Sequence, residues 1–218
     1  MPGAIIFDLD GTLLDTLEDL ADSMNDALRA LGFPTHPMDA YRTFVGDGAQ
    51  MLAQRAVPPA HATDDVTVGA VYQAYLGAYG RRWALKSRPY DGVAGLLDTC
   101  VARGIQMAVF SNKADSFTQV VIRTLLPHWP WAVIRGQRAD CPRKPAPDGA
   151  LQVAAGMGLT PAQCWFLGDS GVDMACANAA GMRSFGALWG FRSRAELEEA
   201  QAGRLVASPD EMTRLLAD

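Results

Sequence analysis

Short hydrophobic runs and longer amphipathic stretches alternate along this chain. The run Ala4–Phe7 is apolar at every position and ends at a turn signal, which is typical of a strand buried on both faces. Residues 17–31 then carry apolar side chains three and four positions apart, which predicts an amphipathic helix. At the start of this helix, Thr16 and Asp19 resemble a capping box.

Strand and helix patterns also alternate in the second half of the chain. The predicted strands are 105–110, 131–134, 164–167 and 183–188, and the predicted helices are 93–103, 116–126, 148–157 and 173–180. Strands that alternate with helices imply right-handed crossovers and a parallel sheet. The sequence therefore predicts an α/β fold.

The segment between the first strand and this alternating region differs in pattern. Residues 33–86 show helical periodicity, best seen at 50–53 and 66–85, and no convincing strand. We therefore predict an α/β core made of residues 1–14 and 87–218, with residues 15–86 as an inserted, all-helical domain.

Composition and charge exclude several classes of protein. Of the 218 residues, 49% are hydrophobic and 20% are charged, which excludes a disordered chain and a coiled coil. The formal net charge of −5 argues against nucleic-acid binding. No apolar run is long enough to span a membrane, and the N-terminus does not resemble a signal peptide, so we expect a cytoplasmic protein. The four cysteines form no CxxC pair, so we expect reduced, buried thiols.

Polar clusters follow three of the predicted strands, and a basic cluster precedes a helix. Ligands bind at the carboxyl ends of the strands in an open parallel sheet, so the fold is expected to bring these clusters to one edge. The clusters are Asp8 with Asp10, Ser111 with Asn112, Gly168–Ser170, and the loop 143–145 that contains Lys144.

Four carboxylates at this edge need a counter-charge. Gathered in a small volume, the side chains of Asp8, Asp10, Asp169 and Asp173 repel one another unless a cation is present. Oxygen ligands with open positions suit Mg²⁺, which also favours phosphate as a ligand. With Lys144 as an additional cation, this set of carboxylates and a metal ion is suited to the transfer of a phosphoryl group.

The two carboxylates that follow the first strand can have different roles in catalysis. Asp8 comes directly after the strand and is the better nucleophile. A turn at Gly11 would swing Asp10 toward the leaving-group oxygen, where it can donate a proton and later accept one from water.

These residues resemble the four motifs of the haloacid dehalogenase superfamily. The first motif is similar to residues 8–15, the second to Ser111, the third to Lys144 in 144–148 and the fourth to 168–173. The helical insert resembles the cap of the phosphoglycolate phosphatase and β-phosphoglucomutase branch. Segments 45–48, 89–93 and 208–212 look most like phosphoglycolate phosphatases.

The resemblance implies a Rossmann-like parallel sheet core with an inserted helical cap. It implies a Mg²⁺-dependent phosphatase for small phosphomonoesters, above all for hydrolysis of 2-phosphoglycolate to glycolate, through an aspartyl-phosphate on Asp8. The expected partner is a small phosphorylated substrate, with no nucleic acid and no membrane, and the protein is expected to be a monomer or a homodimer. Two alternatives stay open: a phosphomutase of the β-phosphoglucomutase type, and a non-catalytic module that binds phosphorylated ligands.

The resemblance also implies a role for each motif residue. Asp8 is the expected nucleophile and Asp10 the general acid and base. The expected Mg²⁺ ligands are Asp8, Asp10 and Asp169, with Asp173 in support. The expected substrate-binding residues are Thr12, Ser111, Asn112 and Lys144. In the insert, Arg42 and Arg55 are candidates for a substrate carboxylate, although an exposed surface is the commoner place for arginine.

Overall fold

The computed structural model describes residues 1–217, and its Cα positions divide the chain into two units. One unit contains Met1–Leu14 and the chain from Pro89 onward, and the other contains Asp15–Arg88. Of the described residues, none belongs to a helix that is long and apolar enough to cross a membrane.

Most of the strands belong to the larger unit. In chain order they are β1 (Ala4–Phe7), β2 (Leu14–Asp15), β3 (Arg88–Pro89), β4 (Gln106–Ala114), β5 (Trp131–Gln137), β6 (Cys164–Gly168), β7 (Arg183–Ala187) and β8 (Arg204–Val206). The main sheet has the order β5-β4-β1-β6-β7-β8, and its neighbouring strands pair in parallel. The predicted α/β fold with a parallel sheet is confirmed.

The helices follow the predicted alternation. They are α1 (Leu17–Ala30), α2 (Tyr41–Phe44), α3 (Ala49–Ala56), α4 (Asp65–Arg82), α5 (Val93–Ala102), α6 (Asp115–Leu125), α7 (Asp148–Gly156), α8 (Gly171–Ala179), α9 (Arg194–Glu199) and α10 (Pro209–Ala217). The short elements β8, α9 and α10 were not predicted from the sequence.

The apolar run of β1 lies in the interior of the sheet, between β4 and β6. Its four residues are fully buried. The register pairs Phe7 with Val109 of β4 on one side and with Leu167 of β6 on the other. These three strands therefore reach the same edge together, which brings the residues that follow them close to one another in space.

The smaller unit is helical, and its longest helices, α1 and α4, pack against each other. Leu20, Met24 and Leu28 form the buried face of α1, while Val71 and Tyr75 are buried on α4. This agrees with the three- and four-residue spacing of the apolar positions.

The capping box expected at Thr16 and Asp19 is wrong. Thr16 makes no side-chain cap hydrogen bond, and its φ of −112° and ψ of 1° lie outside the extended region typical of such a cap. The Asp19 carboxylate is fully buried. It accepts two hydrogen bonds from Ser87, one from the backbone N–H at 2.7 Å and one from the side-chain hydroxyl at 2.8 Å. It also accepts one from the N–H of Lys86 at 2.9 Å. The Asp19 carboxylate thus contacts residues far along the chain through Oδ2 and does not cap its own helix.

Candidate active site

A buried lysine joins three elements at the carboxyl edge of the sheet. The Nζ atom of Lys144 lies 2.7 Å from Oδ1 of Asp8 and 2.6 Å from Oδ1 of Asp173. It also lies 3.0 Å from the carbonyl oxygen of Phe110 in β4. An ammonium carries three hydrogens, so these acceptors match its full donor capacity. Lys144 therefore fixes the position of Asp8, the first residue after β1, relative to α8 and β4.

Asn112 holds the backbone of this lysine. Its side-chain Nδ2 donates to the carbonyl oxygen of Lys144 at 3.1 Å, and its Oδ1 accepts from the N–H of Lys144 at 2.9 Å. Both residues are buried. Two hydrogen bonds to one peptide segment fix where the lysine side chain begins, so the structure gives Asn112 a positioning contact with Lys144.

Burial and crowding of carboxylates control the charge of the site. Burial, and then the nearby Asp173 carboxylate, raise the pKa of Asp8 from 3.8 to about 7, against the opposing effect of Lys144. Burial also raises the pKa of Asp169 well above its usual value, and the charges of Asp173 and Asp8 add to it. For Lys144, burial acts to lower the pKa, but the carboxylates of Asp173 and Asp8 outweigh it and the pKa is raised. The lysine stays charged, while negative charge on the aspartates is disfavoured.

Three of these carboxylates are close enough to share a cation. One oxygen each from Asp8, Asp169 and Asp173 lies within 4.8 Å of the others, and all three residues are buried. An all-oxygen, anionic set of donors suits a hard divalent ion such as Mg²⁺. Burial is the main cause of the raised pKa of Asp8 and Asp169, and such an ion would relieve the repulsion between carboxylates that adds to it. The residues present therefore fit a magnesium site.

Asp173 has two structural contacts in addition. Its Oδ2 accepts hydrogen bonds from the backbone N–H of Ser170 at 3.1 Å and from the Ser170 hydroxyl at 2.6 Å. Together with the return bond from Asp173 N–H, this forms a capping box at the start of α8. Since its Oδ1 contacts Lys144, Asp173 ties the helix start to the lysine.

Asp169 is held by the loop that follows β7. Its Oδ2 accepts a hydrogen bond from the N–H of Phe191 at 2.7 Å, and its Oδ1 lies 3.5 Å from the hydroxyl of Thr12. The indole N–H of Trp189 in the same loop donates to the carbonyl oxygen of Thr12 at 2.9 Å. The loop thus joins the turn after β1 to the carboxylate after β6.

Gly11 allows this close approach. Its φ of +89° lies in the left-handed region, and a Cβ atom at this position would stand 2.7 Å from Cγ of Asp169. The turn predicted at Gly11 is present, and it requires glycine both for its backbone angles and for space.

Asp10 pairs with a second lysine that sequence reasoning missed. The Nζ atom of Lys113 lies 3.0 Å from Oδ1 and 2.9 Å from Oδ2 of Asp10. The side chains are 8% and 13% exposed, so the pair is nearly buried. Ser111, two residues before this lysine, is also buried, and its hydroxyl oxygen accepts from the N–H of Lys113 at 3.2 Å. A signal was available, because residues two apart on a strand lie on the same face.

The predicted site residues thus fall into three contact groups at the same edge of the larger unit. Asp8, Lys144, Asp173 and Asn112 form the first group, Thr12 and Asp169 the second, and Ser111 and Asp10 the third, where Lys113 connects them. Sequence reasoning missed Lys113, and it missed the contacts of Trp189 and Phe191, for which no sequence signal was available.

This fold, with paired aspartates after its central strand and a buried lysine beside them, defines a class of hydrolase. Residues 5–187 match the haloacid dehalogenase-like hydrolase family, and the chain belongs to that family. The predicted membership of this superfamily is confirmed.

Proteins of similar sequence and structure indicate which members of this family the chain resembles. The chain is 34% identical over 194 residues to the phosphoglycolate phosphatase of Pseudomonas putida, covering 88% of this chain and 71% of that protein. It is 32% identical over 218 residues to the phosphoglycolate phosphatase of Xylella fastidiosa, covering 98% and 92%. A predicted phosphoglycolate phosphatase from Haemophilus somnus has a similar structure, with a TM-score of 0.90, 28% identity, and coverage of 98% of this chain and 97% of that one. The prediction of a phosphoric monoester hydrolase that resembles phosphoglycolate phosphatases is confirmed.

Proposed function

We propose that this protein is a Mg²⁺-dependent phosphatase of small phosphomonoesters, and that 2-phosphoglycolate is its main substrate. The observation that carries the proposal is the pairing of Asp8 with the buried Lys144 at 2.7 Å, two residues from a second carboxyl group, Asp10, which contacts Lys113. The names of the relatives support the choice of substrate.

In the first step, a carboxylate oxygen of Asp8 attacks the phosphorus of the ester. The new bond forms as the bond between phosphorus and the ester oxygen breaks, which leaves an aspartyl-phosphate on Asp8. Asp10 donates its proton to the departing oxygen, so that glycolate leaves with a neutral hydroxyl group. Asp10 lies on the same turn as Asp8, since it is two residues further along, and Gly11 gives that turn its shape.

In the second step, water attacks the phosphorus of the aspartyl-phosphate. Asp10 now accepts a proton from this water, the bond from phosphorus to Asp8 breaks, and inorganic phosphate leaves. Asp8 returns to a carboxylate and Asp10 to its protonated form. One ester and one water thus give one alcohol and one phosphate.

The chain offers a set of oxygen atoms for Mg²⁺ beside these two residues. The carboxylates of Asp8 and Asp169, which lie close together, would hold the ion with the backbone carbonyl of Asp10, and Asp173 would support them through its contact with Lys144. When bound, the ion supplies positive charge that offsets the charge of the phosphoryl group.

We assign hydrogen bonds to the phosphoryl oxygens to Ser111 and Thr12. Lys144, whose three hydrogens have protein acceptors, contributes positive charge beside them, and all three residues are buried at the same edge. Asn112 acts with them by fixing the backbone of Lys144 through two hydrogen bonds. Residues 15–86 are proposed to act as a cap that sets the choice of substrate. A cytoplasmic location and a monomeric or homodimeric state stay predictions.

The test is release of inorganic phosphate from a panel of small phosphomonoesters, with and without Mg²⁺. We expect Mg²⁺-dependent release, fastest with 2-phosphoglycolate, and loss of release in Asp8→Asn. The matched control is Asp65→Asn, which changes an exposed aspartate in the same way and should keep full activity. If the folded protein releases no phosphate from any member, the proposal is wrong; isomerisation of a hexose 1-phosphate without release would instead identify a phosphomutase.

A further inference from the structure

Lys113 is a nearly buried cation for which the proposed mechanism has no use. Its side chain is 8% exposed and contacts both carboxylate oxygens of Asp10, at 3.0 and 2.9 Å. Taking an ammonium out of water is unfavourable unless anionic partners surround it. The burial of Lys113 beside the reacting groups therefore indicates a function in the reaction.

The position of Lys113 relates it to the leaving group. Asp10 is the residue that exchanges a proton with the ester oxygen in the proposed function, so its carboxylate lies against that oxygen during the reaction. The Nζ atom of Lys113 is within hydrogen-bond distance of the same carboxylate. A substituent one carbon away from the ester oxygen would therefore lie beside Lys113.

Two other candidate cations, Lys144 and Arg55, are likewise paired with protein partners, and these partners lie elsewhere. Lys144 has three acceptors for its three hydrogens, in Asp8, Asp173 and Phe110. Arg55 donates to Oδ2 of Asp47 at 2.5 Å and to the carbonyl oxygen of Phe44 at 3.0 Å. Lys113 differs from these two in that its contact with Asp10 connects it to the leaving-group side of the proposed reaction.

We propose that Lys113 is a specificity-determining residue that binds an anionic group on the leaving alcohol, namely a carboxylate one carbon from the ester oxygen. The inference rests on the proposed phosphatase function and deepens it by naming the residue that selects the alcohol. A hydrogen bond between an ammonium and a carboxylate is about twice as strong as one between neutral groups. A site that contains Lys113 therefore favours an alcohol with an anionic group over a neutral alcohol of the same shape.

The test compares two substrates of matched shape. One is 2-phosphoglycolate and the other is its uncharged amide, 2-(phosphooxy)acetamide. The native enzyme should prefer the carboxylate in kcat/KM by about 10- to 100-fold, as expected for one charge-assisted hydrogen bond. In Lys113→Gln this ratio should fall to about 1, chiefly through a higher KM for 2-phosphoglycolate, and Lys113→Arg should restore most of it.

The ratio separates specificity from positioning. If Lys113 only orients Asp10, Lys113→Gln lowers kcat/KM for both substrates by the same factor, the ratio stays high, and the inference is wrong. In that case the phosphatase function stands, because the native enzyme still hydrolyses both esters. If the native enzyme releases phosphate from neither ester, the proposed function is wrong and the inference falls with it.

A binding measurement covers the case in which Lys113→Gln has no activity. Glycolate and its amide, glycolamide, are titrated into the folded proteins and followed by NMR chemical shifts. The native protein should bind glycolate at least about tenfold more tightly than glycolamide, and Lys113→Gln should bind the two equally. Equal binding by the native protein would overturn the inference.

Discussion

The Nζ atom of Lys144 lies 2.7 Å from Oδ1 of Asp8, and both side chains are buried at the end of the central strand. A second carboxylate, Asp173, contacts the same ammonium at 2.6 Å. This arrangement links the stability of the larger unit to its chemistry, because the cation that supports the proposed nucleophile also compensates two buried negative charges.

Replacement of this lysine is therefore expected to affect folding as well as turnover. In Lys144→Met, Asp8 and Asp173 lose their shared cation, and removing one partner of a buried ion pair costs about 3–5 kcal/mol. We expect the free energy of unfolding, measured in urea, to fall by that amount and phosphate release to be lost. A fall below about 1 kcal/mol would contradict this account, since exposed pairs contribute no more than that.

Stability without metal is expected to fall as the pH rises. The pKa of Asp8 is 3.8 in its ordinary state and about 7 in the folded protein. Between these values the folded protein holds a proton that the unfolded chain has released, so folding takes up a proton there. The free energy of unfolding therefore decreases from pH 4 to pH 7, and the raised pKa of Asp169 acts in the same direction.

Thermal unfolding in a chelator measures this effect. The Tm is expected to be lower at pH 8 than at pH 5, and Asp8→Asn is expected to reduce the difference. Added Mg²⁺ should raise the Tm more at pH 8, where the carboxylates are ionised, than at pH 5. A Tm that rises from pH 5 to pH 8 without metal would show that the carboxylates are not crowded in this way.

Gly11 is expected to tolerate no side chain. In Gly11→Ala, a residue with a Cβ atom takes a φ of +89° and meets Asp169, so we expect a loss of about 1–3 kcal/mol in stability and a fall in kcat. The control is Gly95→Ala in α5, where a Cβ meets no atom within 4 Å and alanine favours the helix by about 0.5–1 kcal/mol. Equal effects of the two changes would argue against a constrained turn.

Asn112 is expected to act through Lys144. Asn112→Ala removes two hydrogen bonds and leaves the N–H and carbonyl of a buried peptide segment without these partners, which costs about 1–3 kcal/mol. We expect a lower kcat for 2-phosphoglycolate and for its amide by the same factor, since the lysine serves the phosphoryl group common to both. A change confined to one of the two substrates would instead indicate direct contact with the leaving alcohol.

Local pattern was sufficient to predict much of the fold and to predict that the candidate site residues lie at one edge of the sheet. The four apolar residues of β1 and the period of α1 are set by burial, which acts on each residue type in a predictable way. The sheet edge then followed from topology, because parallel strands end together. Asp8, Asp169 and Lys144 were found for this reason.

The remaining features depend on partners that are distant in sequence. Asp19 was expected to cap its own helix, but its carboxylate accepts hydrogen bonds from Ser87, 68 residues away. Phe191 contacts Asp169 through its backbone N–H, which any residue except proline offers, so no residue type marks the contact. The pairing of Lys113 with Asp10 spans 103 residues, and only the periodicity of β4 pointed toward it.

The central claim is that Asp8 carries the phosphoryl group between the ester and water. Rapid mixing of enzyme and 2-phosphoglycolate, followed by an acid quench and peptide mapping by mass spectrometry, tests it most directly. We predict a phosphoryl group on the peptide that contains Asp8, formed within the first turnover and absent in Asp8→Asn. Phosphate release in that turnover with no adduct on Asp8, or with the adduct on another residue, would contradict the account.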